Sequence, residues 1–71
     1  MQIIMGCAFS KGRVIPDISS PYVLDPGQAS LIPQVGDIVT GSVYQNQYKV
    51  VERVFSLNVD SVTVTLVCEP Y

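Results

Sequence analysis

This 71-residue chain is predicted to adopt an all-β fold, a small antiparallel barrel or rolled sheet of about five strands. Three stretches lead to that class. Residues 62–68 read V-T-V-T-L-V-C, which puts Val62, Val64, Leu66 and Cys68 on one face and Thr63 and Thr65 on the other. Residues 48–57 are a run rich in β-branched and aromatic side chains, the types that pack best on a pleated surface. Pro33-Gln34-Val35-Gly36-Asp37-Ile38-Val39 is a Pro- and Gly-punctuated lead-in to a strand. No apolar 3.6-residue period with caps is present, so little or no helix is expected.

Residues 2–9 form the first expected strand, with Ile3, Met5, Cys7 and Phe9 on one face. Ser10-Lys11-Gly12-Arg13 reads as a turn, and Val14-Ile15 as a short second strand that stops at Pro16. Residues 16–33 hold four of the five prolines, and proline lacks the ladder donor, so no central strand is expected there. Within them Asp25-Pro26-Gly27-Gln28 fits a type II turn between two short extended pieces, 22–24 and 29–32. The next strand is expected over 35–43, with a bulge or bend at Gly41. A tight hairpin connects over 44–48, in which Asn46 is expected to accept a positive φ. In the strand 48–57, Tyr48, Val50 and Val54 are assigned to one face and Val51, Phe55 and Leu57 to the other. Apolarity on both faces marks a central strand or one whose second face meets a partner. Asn58-Val59-Asp60-Ser61 is a turn, and the last strand closes the sheet. The expected core is Val50, Val54, Val62, Val64 and Leu66.

The length allows a single domain, residues 1–71, near the lower limit for a chain that folds alone. Hydrophobic residues make up 48% and charged residues 14%, so some apolar surface is expected to stay exposed on a monomer and to mark an interface. Net charge is −2, and Lys11, Arg13, Lys49 and Arg53 are scattered. Binding to a nucleic-acid backbone needs several cations on one face, so a DNA or RNA partner is not expected. No apolar run approaches the length of a membrane span, and the N-terminus lacks the basic start of a signal peptide. The expectation is a cytoplasmic protein with no membrane association. Cys7 and Cys68 both fall in alternating apolar patterns and are expected to be reduced, packing as small hydrophobes.

The motifs P-x-V-G-D-x-V at 33–39, Y-K-V-V-x-R-V-F at 48–55 and V-T-V-T-L at 62–66 together resemble a loose pattern of small bacterial and phage-encoded β proteins. They are also similar to the opening strands of SH3-like barrels. The resemblance covers about half the chain and is structural. It implies a small barrel-like fold and a mobile-element setting, and it carries over no binding or catalytic residue.

The chain has no histidine, which removes the usual general base and the imidazole metal ligand. Its acidic residues, Asp17, Asp25, Asp37, Glu52, Asp60 and Glu69, stand singly, and most sit where turns need them. No catalytic residue, metal site or cofactor is expected. Two groups of candidates remain. Val51, Phe55, Leu57 and Tyr44 are candidates for an interface, tyrosine and phenylalanine being favoured at contacts. Lys11, Arg13, Tyr22 and Gln28, with Ser19 and Ser20, sit on loops that would hold a small anionic ligand if they met. The leading expectation is a non-enzymatic protein that self-associates and binds a protein partner, such as a phage-encoded inhibitor of a host system. The alternative is a protein that sequesters a small anionic metabolite or nucleotide at a subunit interface.

Overall fold

The computed structural model describes residues 1–19 and 21–71; Ser20, one of the candidate ligand-loop residues, lies outside the described residues. Five strands form one sheet: β1 (Gln2–Phe9), β2 (Tyr22–Leu24), β3 (Ile38–Thr40), β4 (Gln47–Leu57) and β5 (Ser61–Pro70). Their spatial order is β2-β1-β5-β4-β3, rolled into a half-barrel. The class is all-β, as the alternation predicts, but the sheet is mixed rather than wholly antiparallel. β1 runs parallel to β5 from the Gln2–Ser61 pair to the Phe9–Cys68 pair. β5, the regularly alternating strand, stands at the centre of the sheet, and β1 beside it continues the rows of its apolar face. A parallel pair needs a long connection, and the rest of the chain supplies it.

The core face is set by the register. Ile3, Met5, Cys7 and Phe9 lie beside Val62, Val64, Leu66 and Cys68, and Leu24 and Tyr22 continue the rows beyond Ile3 and Met5. Val50, Val64 and Leu66 are completely buried. Ile15, Ile32 and Tyr48 close over them, with Phe9, Ile18, Leu24, Val39 and Val62 packed around the edge. The Phe9 and Tyr48 rings meet edge to face at 5.8 Å. Both cysteines are free, Cys7 half-buried and Cys68 buried. Burial, and after it the neighbouring Cys68, pushes the Cys7 thiol up to about 11.

Several local expectations are corrected. Val14 makes only an isolated bridge to Ala8, and Ile15 turns inward as a core residue instead of extending a strand. Residues 29–31 are not extended: Pro26–Leu31 is a 3-10 helix, and only Ile32 past its end keeps extended backbone angles. The Asp25 amide donates to Gln28 Oε1 at 2.9 Å, the Gln28 amide donates to the Asp25 carbonyl at 2.8 Å, and proline occupies the first turn. Such a reciprocal cap outweighs the type II turn that the same four residues suggest. The strand expected over 35–43 shrinks to Ile38–Thr40, because Gly36 (φ +98°) makes a turn ahead of it. In the loop before β4 the positive φ falls on Gln45, not Asn46.

The correction with the widest effect is in β4. Its register against β5 shifts between Val50 and Glu52. Such a bulge adds one residue to a strand and reverses the facing of every residue beyond it. Val50 lies beside Cys68, but past the bulge Arg53, Phe55 and Leu57 lie beside Leu66, Val64 and Val62, on the core face. Val54 therefore leaves the core for the outer face beside Thr65 and is 41% exposed. Phe55 and Leu57 share the face of Val50 instead of opposing it.

Candidate functional site

The most constrained polar group is Asp17, a carboxylate 1% exposed to solvent. A buried charge is tolerated only when it is fully hydrogen-bonded, and this one is. Its Oδ1 accepts from the amides of Val43 (3.1 Å) and Tyr44. Its Oδ2 accepts from the Asn46 amide (2.9 Å) and the Tyr48 hydroxyl (3.2 Å). The Asp17 carbonyl takes the Ser42 amide at 3.0 Å. Burial opposes the charged form, but these donors outweigh it and hold the carboxyl below its ordinary value. Burial, and then the adjacent carboxylate, push the Tyr48 phenol up.

Gly41 explains how Asp17 reaches the loop. A β-carbon at position 41 would overlap the Asp17 carboxylate. The glycine is therefore required by close approach, not by the bulge that the sequence suggested. The carboxylate thus gathers the loop 41–46 around itself, and Gly41 donates back to the Asn46 carbonyl at 2.8 Å. The loop's apolar side chains, Val43 and Tyr44, point outward and are largely exposed. A loop tied by three of its amides to one buried carboxylate presents Tyr44 at low conformational cost, the condition under which an aromatic side chain binds best. Sequence reasoning treated Asp17 as one of several isolated acids. Its partners are mostly backbone amides, which leave no residue signature; the one available signal was Gly41, inside a strand-like run.

The second feature is the open end of the half-barrel. Beyond the bulge, Phe55 (48% exposed) and Leu57 (80%) extend the core-face rows of Val64 and Val62 into solvent. The Arg53 guanidinium lies over the Phe55 ring, 5.2 Å from its centre. Val51, the remaining candidate of that group, sits half-buried at the bulge. Phe55 and Leu57 therefore stand together, while Tyr44 belongs to the Asp17 loop.

The candidate ligand loops converge only in part. Lys11 (φ +68°) and Arg13 line a cavity of about 350 Å³ with Phe9, Ser10, Cys68, Glu69 and Pro70. Arg13 packs 5.9 Å over the Phe9 ring. Tyr22 and Gln28 are not part of this cavity: Tyr22 is paired with Met5 in the sheet, and Gln28 is committed to the Asp25 cap. Glu69 in the wall offsets one of the two cations. Among the described residues no group of His, Cys, Asp or Glu is placed to hold a metal ion, and no helix is long and apolar enough to cross a membrane.

No protein family, curated protein or solved structure matches this chain.

Proposed function

We propose that the chain is a non-enzymatic interaction protein that self-associates and binds a protein partner, with a phage or mobile element as its setting. The observation that carries this reading is the open half-barrel, whose core face continues outward into solvent as Phe55 and Leu57. Apolar groups contiguous with a core are the usual mark of a contact surface. The Asp17-bound loop supports the second half of the reading, because it holds Tyr44 and Val43 outward as a separate, pre-ordered contact.

Two measurements test it. Light scattering at tens of micromolar is expected to give at least a dimer for the native chain and a monomer for Phe55→Asp. Capture of partners from a host lysate is expected to yield a band that Tyr44→Ser loses. A monomeric native chain with no Tyr44-dependent band would overturn the reading. A saturable melting shift with a small anionic metabolite, lost on Arg13→Ser, would replace it with ligand sequestration.

A further inference from the structure

β4 changes character along its length, and the hydrogen bonds show where. Val50 donates to the Asp37 carbonyl (2.9 Å) and accepts from the Gly36 amide (2.8 Å), so its backbone groups point away from β5. The pairing with β3 covers only Gln47, Tyr48 and Lys49. Past the bulge the phase is set at the other end, where the Asn58 amide donates to the Ser61 carbonyl at 2.9 Å. In an antiparallel pair the direction of the backbone groups alternates residue by residue. Asn58, Ser56, Val54 and Glu52 therefore point their amides and carbonyls at β5, and Leu57, Phe55 and Arg53 point theirs outward. Among the described residues no strand pairs with that outer edge.

We infer that this edge pairs with its own copy, antiparallel, about a two-fold axis at Phe55. The inference rests on the self-association reading and names the contact that makes it. The three outward residues are evenly spaced about Phe55, so an axis there uses all of them, with about six backbone hydrogen bonds. Phe55 then stands opposite the second copy's Phe55, and Arg53 opposite its Leu57. On the outer face Val54 meets Ser56, and Glu52 meets Asn58. No like charges are opposed. An axis at Arg53 would set two arginines against each other, and cross-strand like charges destabilise a sheet. Because the axis is perpendicular to the sheet, both core faces lie on the same side. The exposed Phe55 rings then meet side by side as an aromatic pair. An unblocked edge with apolar side chains is what strand addition uses. Here the edge complements itself, which favours a second copy over a foreign strand. The result joins two five-stranded half-barrels into one continuous sheet.

The test is amide hydrogen exchange of the native chain, read residue by residue at two concentrations, alongside light scattering. The expected result is a dimer in which the Arg53, Phe55 and Leu57 amides exchange at least roughly tenfold more slowly at the higher concentration. The Glu52, Val54 and Ser56 amides should be slow at both. Leu57→Pro removes one outward donor without touching a β5 bond, and it should dissociate the dimer where Leu57→Ala weakens it only modestly. A dimer whose Arg53, Phe55 and Leu57 amides exchange freely at both concentrations would overturn edge pairing and leave self-association standing. A monomer at hundreds of micromolar would overturn both, and would leave the edge to a strand from another protein.

Discussion

The two halves of β4 belong to one strand and have opposite fates. At residues 47–50 the strand is internal: β5 lies on one side and β3 on the other, Tyr48 and Val50 are buried, and the Tyr48 hydroxyl donates to Asp17. At residues 53–57 it pairs, among the described residues, with β5 alone, and its core-face side chains reach into water. Composition does not separate the halves, since each carries one valine, one aromatic residue and one basic residue. They differ in what covers them. The first half is finished by a polar device, a buried carboxylate that orders a loop. The second half is left unfinished, and the bulge between Val50 and Glu52 turns its apolar side chains to the same face. An exposed apolar group at the end of a core therefore reads differently from one scattered on a surface, because it continues a packed layer.

Removing the device at the closed end is expected to have the largest effect. Asp17→Ala leaves the Tyr44 and Asn46 amides and the Tyr48 hydroxyl without their acceptor, and the Val43 amide with only the residue 17 carbonyl, in a site with little access to water. Gly41→Ala forces a methyl into the same carboxylate. Both are expected to abolish cooperative thermal unfolding, or to lower its midpoint by more than any single core truncation. A melt within a few degrees of native for Asp17→Ala would show that the loop orders itself without the clamp.

Next in size is the layer that both halves share. Leu66 is completely buried between Cys7 and Arg53 in the register. Leu66→Ala is expected to cost about 2–5 kcal/mol in denaturant unfolding, a large fraction of the stability of a domain this small. An unchanged midpoint would mean that the layer is not the core.

Acid distinguishes the two ends without mutation. The folded Asp17 carboxyl titrates below its unfolded value. Its contribution is therefore fully present above the unfolded value near 3.9 and is lost as pH falls through the lower folded value. The loop and Tyr44 should loosen in that acid window, seen as faster exchange of the Val43, Tyr44 and Asn46 amides. The open end carries no comparable group and should respond only to global unfolding. Protection of these amides that stays unchanged from pH 6 down to the onset of global acid unfolding would show that the loop does not depend on the Asp17 charge.

The sequence made some of this legible and not the rest, for physical reasons. Val64 and Leu66 were readable because the last strand alternates cleanly, so one parity had to be the core. Val50 and Val54 shared a parity, yet only Val50 is buried. In V-V-E-R-V-F both parities carry apolar groups, so nothing in the pattern reveals an inserted residue that flips the face. Asp25-Pro26-Gly27-Gln28 satisfies a type II turn and a capping box equally well, and only the Gln28 hydrogen bond decides between them. Asp17 was hidden for a different reason: its partners in sequence lie 26 to 31 residues away, and most are backbone amides. The candidates Phe55 and Leu57 were found by the excess of apolar residues, although the face assigned to them was reversed.

The smallest expected effect lies at the tip of the open end. Leu57 faces the core side of the sheet beside Val62, yet most of its surface remains in water. A residue that buries little on folding has little to lose, since the hydrophobic contribution scales with the area removed from water. Leu57→Thr introduces a β-branched side chain and so preserves the strand preference. Measured at a concentration low enough to keep the chain monomeric, it is expected to change unfolding free energy by no more than about 0.5 kcal/mol. At a concentration that allows assembly, the same substitution should lower the unfolding midpoint further, because binding adds to stability by mass action. The two measurements together isolate what Leu57 does for the fold from what it does for the contact. A loss above about 1.5 kcal/mol in the dilute sample, several times the usual surface effect, would show the open end to be packed within the monomer, and the contrast between the two halves of β4 would fail.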